Sequence, residues 1–503
     1  MTSGPGAATI VELVLVSHTN SGKTTLARTL LGRDVGAVRD APHVTELAET
    51  HLLLATPTGD ELRLADTPGF GDSARLVQRL RSADNPIGWL LREVWDRHRD
   101  RPFWCSQQAV RAARESADVV LYLVNAAEPP GDAGYLPSEM QVLRWIGKPV
   151  LALLNQIGPP RPPAAEDAEQ ALWGRHLAAH GLDCEVLTLD AFARCWVQER
   201  ALLDAIRPAL ADSKRIGFSR LRAEWEARSL DRFDASMRLL AEQLAAAAQD
   251  SEFIDDATLS PGSRALVSLG LRRSDDARRA AMGTLAQRLD GRVRAAMDRL
   301  IELHALEGTA GQTILHRVQQ SYSTQAPIDE GRAALLGGVL SGALAGLKAD
   351  LATGGLSMGA GLLVGAVLGG LGGAGIARGI NRLTGSERAR LSWPDEFLDG
   401  LACAAVLRYL AVAHYGRGRG RYVESESPAF WYDEVQNTLR PRAEIWHALW
   451  NQARGDAEGC VPALQAELRA TTAQVLARLY PGASGMLGAA PAREALGDHE
   501  VSR

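Results

Sequence analysis

The segment Ser17-His-Thr-Asn-Ser-Gly-Lys-Thr24 follows directly on an apolar run, Ile10–Val16, and leads into a helical pattern from Thr25. A Gly-Lys-Thr at a strand-to-helix turn suits one chemistry above others, the holding of nucleotide phosphates. Backbone N–H groups over Asn20, Ser21, Gly22, Lys23, Thr24 and Thr25 would converge on the β- and γ-phosphates at the positive end of the helix dipole. Lys23 adds a point charge, and the Thr24 hydroxyl would complete a Mg²⁺ shell. Loops of this kind carry glycine at both ends, whereas Ser17 stands at the first. The loop tolerates that departure as long as φ stays negative there.

A second landmark supports the first. Glu61-Leu-Arg-Leu-Ala65 reads as a strand and ends in Asp66-Thr-Pro-Gly-Phe70. An Asp at the end of the neighbouring strand can hold Mg²⁺ through water. A Gly three residues later, Gly69, can swing its N–H onto a γ-phosphate and release it after hydrolysis.

Together the two motifs resemble the translation-factor-type GTPases, most closely the Era/TrmE branch, over about the first two hundred residues. The resemblance implies bound GTP and Mg²⁺. It aligns Asp40-Ala-Pro-His-Val-Thr-Glu46 with the first switch, so that Thr45 would join Thr24 and Asp66 around the metal and, with Lys23 and Gly69, act on the γ-phosphate. Asn155-Gln-Ile-Gly158 stands where the family has Asn-Lys-x-Asp, and Asp190-Ala191 where it has Ser-Ala. Asn155 would tie the base loop to the phosphate loop, with Gln156, Asp190 and Ala191 beside the nucleotide. The Asp of that motif reads the guanine edge through two hydrogen bonds, and Gly158 has no side chain to do so. Asp190 is the replacement carboxylate that the topology suggests.

Two residues bear on turnover. Asn20 matches the Asn with which the Era/TrmE branch coordinates a monovalent cation; the bland alternative is an Asn that caps the loop. Such a cation would stabilise charge between the β- and γ-phosphoryl groups. Phe70 stands where Ras-type enzymes place a water-orienting Gln. The expectation is slow intrinsic hydrolysis, stimulated by potassium, a partner or self-association.

The elements that must position these residues alternate. Strands are expected at 10–16, 50–56, 61–65, 118–125, 149–154 and 184–189, with helices between most of them, the signature of a doubly wound sheet. Between Gly71 and Ala117 the second switch helix and an added helix fit, with Trp89, Trp95 and Trp104 as core residues. From about Ala201 the chain reads as helix, with amphipathic runs at Leu221–Ala248 and Leu285–Leu306 split by Pro261-Gly262. Trp446, Trp450 and Phe430-Trp-Tyr432 are expected in the core of that part.

The fold class is therefore α/β, a doubly wound P-loop NTPase domain followed by a mostly α-helical domain. Boundaries fall at 1–205 for the GTPase domain, 206–330 and 381–482 for the two helical parts, 331–380 for an intervening hairpin, and 483–503 for a disordered tail. The 503 residues exceed what one core holds. A net charge of −5 gives no bulk argument for nucleic acid; Arg97–Arg101 and Arg417–Arg421 are local basic patches, with a solvated helix face for the first and a loop for the second as the alternatives to nucleic-acid contact. Cys105, Cys184, Cys195, Cys403 and Cys460 lack Cys-x-x-Cys spacing and fit a reducing cytosol. The N-terminus lacks the regions of a signal peptide.

Within the hairpin, glycine recurs at every fourth position: Gly338, Gly342 and Gly346, then Gly361, Gly365, Gly369 and Gly373. Glycine costs a helix in water roughly 1 kcal/mol per residue, and a glycine-lined face is a packing that membranes favour. Leu356–Ala377 would reach about 30 Å, enough to cross a hydrocarbon core. A membrane-inserted hairpin, a buried one and one exposed by nucleotide state all stand.

The architecture also resembles a group of bacterial GTPases with an Era-like N-terminal domain and a C-terminal helical domain of unknown function, through Asp190–Glu199 and the His-Thr-Asn loop. The reading is a cytoplasmic GTPase switch whose helical half works at the inner membrane, as a peripheral or inserted protein with a membrane partner or a second copy. Alternatives are a dynamin-like membrane GTPase, an Era-like ribosome-assembly GTPase and a non-hydrolysing nucleotide-binding scaffold.

Overall fold

A computed structural model describes residues 8–32, 48–82, 100–158, 160–191, 195–253, 275–306, 390–415 and 428–488. Thr45, Trp89, Trp95, Pro261-Gly262, Arg417–Arg421 and the glycine-repeat segment 333–377 lie outside them. The described residues form two compact units. The first draws on Met1–Asp231, Ala413–Glu424 and Leu476–Arg503, the second on Arg232–Val412 and Ser425–Val475.

The first unit is built on a six-stranded sheet in the order β2-β3-β1-β4-β5-β6. The strands are β1 Ile10–Ser17, β2 Glu49–Ala55, β3 Glu61–Asp66, β4 Val119–Asn125, β5 Val150–Asn155 and β6 Glu185–Thr188. All six stand within a residue of their sequence expectation. Pairing is parallel except for β2, which folds back on β3 as an antiparallel hairpin. Near-continuous apolar runs such as Val119–Val124 are buried on both faces, as parallel strands need to be.

Alternation along β1 divides the core. Val14 and Val16 face one layer with Phe70, Leu76, Phe103, Met140 and Trp173. Val11, Leu13 and Leu15 face the other with Leu26, Leu203, Ile206, Phe218 and Leu221. The first layer uses α2 Ser73–Ser82, α3 Arg101–Glu115, α4 Leu136–Ile146 and α5 Pro163–Ala179. The second uses α1 Lys23–Leu31, α6 Trp196–Ala209 and the start of a 38-residue helix, α7 Asp212–Gln249. Trp104 and Cys105 of α3 are buried, as expected of the added helix.

Helix α7 is fastened to three places on the sheet. Lys214 Nζ reaches both oxygens of Asp118, just before β4, at 2.7 Å. Gly217 lies so close to Thr9 that a Cβ there would meet its Oγ1 at 2.1 Å. Arg220 grips both oxygens of Asp60, in the β2–β3 turn, at 2.7 Å, and Arg228 donates to Ala55 O at 3.0 Å. Asp60 is fully buried and also accepts from Thr9 N, Thr56 Oγ1 and Thr58 Oγ1.

The chain returns to this unit at its far end. Tyr480 is half-buried, with its hydroxyl 2.8 Å from His414 Nε2. The expected tail begins with a helical turn, Ser484–Leu487, in which Leu487 is buried; residues from 489 on lie outside the described ones.

The second unit is helical. It takes the rest of α7, α8 Asp275–Leu303, α9 Asp395–Ala413, α10 Ala429–Leu439, α11 Ala443–Gly455 and α12 Ala457–Leu479, each for the most part. A two-stranded ribbon, β7 Ser251–Phe253 with β8 Arg390–Ser392, joins them. Trp431, Trp446 and Trp450 are core residues, and Trp450 Nε1 donates to Asp399 at 2.8 Å. His304 lies half-buried between Ser236 and Tyr409, and desolvation pushes its pKa down to about 3, so it is neutral. Among the described residues no helix is long and apolar enough to cross a membrane.

Candidate functional site

Strand order alone selects the site. β1 has β3 on one side and β4 on the other, and ligands of open α/β sheets bind beyond the carboxyl ends of strands at such a switch point. The loops after β1, β3, β5 and β6 meet there.

The loop after β1 turns into α1 through Gly22, in a left-handed conformation at φ 86°. A Cβ at Gly22 would lie 2.6 Å from Asn155 Nδ2, so the position needs glycine on both counts. Ser17 is absent from the positive-φ residues, which is the condition for tolerating a side chain there. Its hydroxyl has a task that sequence reading missed: it accepts a 2.8 Å hydrogen bond from Lys23 Nζ. Asn20 is exposed and left-handed at φ 66°, a conformation Asn adopts more readily than most residues. Ser21 Oγ donates to His18 O at 3.0 Å and Thr25 is buried at the start of the helix.

The metal positions can be tested on their own chemistry. Thr24 Oγ1 lies 2.5 Å from Asp66 Oδ2, while Asp66 Oδ1 is buried without a partner. A buried carboxylate oxygen with nothing to accept from is costly, and a hydrated divalent cation would satisfy it. Burial pushes the Asp66 carboxyl above its ordinary value, with the Thr24 bond and the Lys23 charge opposing. Burial likewise lowers Lys23 to about 8, with Asp66 and Glu139 pulling the other way. An arriving Mg²⁺-phosphate would relieve both strains by adding charge of each sign. Thr45 lies outside the described residues, so its place beside Asp66 is left to sequence.

After β3 the chain folds onto the phosphate loop. Phe70 N donates to Ser17 O at 2.8 Å, and His18 and Phe70 form a parallel bridge. A Cβ on Gly69 would lie 2.8 Å from Thr19 Cα and 3.1 Å from Lys23 Nζ. Thr19 Oγ1, in this crowded place, is buried without a partner. Phe70 is wholly buried in the core.

Asn155 is a two-sided tie. Its Nδ2 donates to Ser21 O at 2.8 Å and its Oδ1 accepts from Ala191 N at 2.8 Å. Ala191 O in turn accepts from Thr29 Oγ1 of α1 at 2.8 Å. The base loop carries two left-handed residues, Gln156 at φ 61° and Gly158 at φ 83°. Asp190 is buried, and its Oδ2 accepts from Ile157 N at 2.7 Å. That carboxylate therefore braces the loop that would cradle a base.

One cluster was invisible in the motif reading. Glu139 of α4 is fully buried, 2.8 Å from His18 Nδ1 and 2.6 Å from Tyr122 Oη. The His18 ring stacks on Tyr135 at 4.2 Å and 12°. Burial pushes the Glu139 carboxyl up, and His18, Tyr122 and Lys23 pull it back. The sequence did hold a signal: Glu139 shares a helix face with Leu136, Met140 and Leu143, an apolar stripe that rarely admits a carboxylate.

A strand-to-helix phosphate loop, an Asp-Thr-Pro-Gly at the end of β3 and an Asn tether on this sheet order define a P-loop GTPase domain, and residues 12–156 match the family described as 50S ribosome-binding GTPase. Residues 175–480 match the family described as Domain of unknown function (DUF3482). This match covers more than half of the chain, and the protein belongs to that family. It starts inside α5, so the family takes in the last strand of the GTPase sheet as well as the helical part.

Among solved structures, similarity extends to an Era variant from Aquifex aeolicus bound to GDP·AlF4⁻, at 18% identity and a TM-score of 0.29, over 41% of this chain and 58% of that one. The cytosolic domain of the T. maritima FeoB iron transporter in its GMPPNP form shares 16% identity, with a TM-score of 0.21, over 36% and 56%. The chain thus spans less than three fifths of these solved chains. No curated protein sequence matched it.

Proposed function

We propose that this protein binds GTP with Mg²⁺ and hydrolyses it slowly, as a switch read by its helical unit. The observation that carries the reading is the Thr24–Asp66 pair, with Asp66 Oδ1 buried and unpartnered beside Lys23. Thr24 and Asp66 would hold the metal, which supplies charge neutralisation at the phosphates. Lys23 leaves Ser17 for the phosphates, Gly69 presents its N–H, and Asn155 keeps the base loop against the phosphate loop. Thr45 completes the set in the sequence-based reading. The left-handed Asn20 leaves its side chain at the exposed rim, which is compatible with a potassium ion there.

The glycine repeat of 333–377 supports an inner-membrane setting for the helical part, with a membrane partner or a second copy as the reader of the switch. A second reading, a non-hydrolysing scaffold, is favoured by the burial of Phe70 where Ras-type enzymes place a glutamine.

The test is equilibrium binding of labelled GTP and ATP to the full chain with Mg²⁺, in potassium and in sodium, beside Lys23→Ala. GTP preference that disappears in Lys23→Ala supports the switch. Equal binding of both nucleotides removes the guanine assignment, and binding without turnover under every cation condition selects the scaffold. Co-sedimentation with ribosomal subunits would instead bring this chain to the function printed for the family matched by residues 12–156.

A further inference from the structure

Three observations converge on His18. Phe70 follows Gly69 at the position of the water-orienting glutamine, and it is a buried ring with no polar atom. His18 is bridged backbone to backbone with that same Phe70, which makes it the neighbour in the sheet of the position where the glutamine would stand. The imidazole is also held from behind. Nδ1 is 2.8 Å from a fully buried Glu139 carboxylate, whose other oxygen accepts from Tyr122 at 2.6 Å, and the ring lies flat against Tyr135.

A carboxylate kept in a core without a cationic lysine or arginine bonded to it is expensive, and a core has no packing reason to keep one. The His18 side chain retains 35% of its exposure, and its Nε2 makes no hydrogen bond among the described residues. In the tautomer whose Nδ1–H donates to Glu139, the lone pair of the ring is on Nε2.

We infer that His18 is a catalytic residue that receives the attacking water in nucleoside-triphosphate hydrolysis, and that Glu139 is the positioning residue that fixes its tautomer. The inference rests on the hydrolase reading above. In the step, the water oxygen bonds to the γ-phosphorus while the bond from that phosphorus to the bridging oxygen breaks, its electron pair staying on the diphosphate. The proton lost by the water passes to Nε2 and from there to the released phosphate. Glu139 stabilises the imidazolium in between.

The experiment measures single-turnover GTP hydrolysis and GTP affinity of the full chain in Mg²⁺ and potassium. The variants are His18→Ala and Glu139→Gln, the second conserving volume and the bond to Tyr122. Hydrolysis in His18→Ala is expected to fall by roughly 10²-fold while the GTP Kd stays within about threefold. Imidazole added to solution is expected to restore part of that rate, and to do nothing for Glu139→Gln, which loses a smaller factor. A His18→Ala chain that hydrolyses at the parental rate, loses GTP affinity in step with rate, or ignores imidazole overturns the assignment. A parent chain that binds GTP and never turns it over sinks the hydrolase reading itself, and this assignment with it.

Discussion

Lys23 Nζ donates to Ser17 Oγ at 2.8 Å, so the residue that departs from glycine at the head of the phosphate loop is the partner of the loop's own lysine. A buried ammonium needs a hydrogen-bond acceptor, and the hydroxyl provides one. Nucleotide must then draw the lysine away. A hydrogen bond to a charged group contributes about 1.5–3 kcal/mol. Ser17→Gly is therefore expected to tighten GTP binding, by up to about tenfold after the lost bond is partly replaced by water. Titration of labelled GTP against both forms checks this, and weaker binding in Ser17→Gly would refute it.

Asn155 satisfies Ser21 O and Ala191 N at once from a fully buried position. Asn155→Ala leaves both groups without a partner, at about 1–3 kcal/mol each. The expected result is a loss of at least about 2 kcal/mol in thermal or urea unfolding, with GTP affinity falling by tenfold or more, roughly 1.4 kcal/mol per decade. Unchanged affinity would mean that the base and phosphate loops are held together by other contacts.

Gly69 sits against Thr19 and Lys23 with no room for a methyl group. Gly69→Ala must push this segment off the phosphate loop, and a γ-phosphate contact through the N–H would suffer with it. Turnover is expected to fall at least about tenfold with GDP affinity little changed, because GDP offers nothing for that N–H to meet. Parallel GTP hydrolysis and GDP titrations decide the point.

Much of this was legible from residues alone because it is local. The phosphate loop, Asp66 and Asn155 each end a strand, and each strand announces itself as a short apolar run bounded by turn residues. Glu139 and Asp60 were not legible in the same way. Their partners, His18 and Arg220, stand 121 and 160 residues away, and only the packed sheet brings them together. The bond from Ile157 N to Asp190 was not legible either, since a side chain's hydrogen-bond partner is set by neighbours that sequence spacing does not order. The return of Tyr480 to the first unit carries no sequence signal beyond an aromatic near the end of a helix.

The Asp60 carboxyl is held far below the usual carboxylate range, first by the Arg220 guanidinium and then by Thr9 N and the Thr58 and Thr56 hydroxyls. A depressed folded pKa means that the unfolded chain binds the proton more readily. The contribution is thus complete above the unfolded value near ~3.9 and is lost as pH falls toward the folded one. Asp60→Asn should melt below the parent at pH 7, with the gap narrowing steadily below about pH 4. Melting curves from pH 3 to 7 test it; a gap that stays constant with pH would show that shape, not charge, holds the turn.

Because α7 is held at Lys214, Gly217, Arg220 and Arg228 against the ends of β4, β1, β3 and β2, its first half moves with the sheet. Any tilt of the β2–β3 hairpin is therefore passed through Arg220 and Arg228 to the start of this helix, with no moving joint between them.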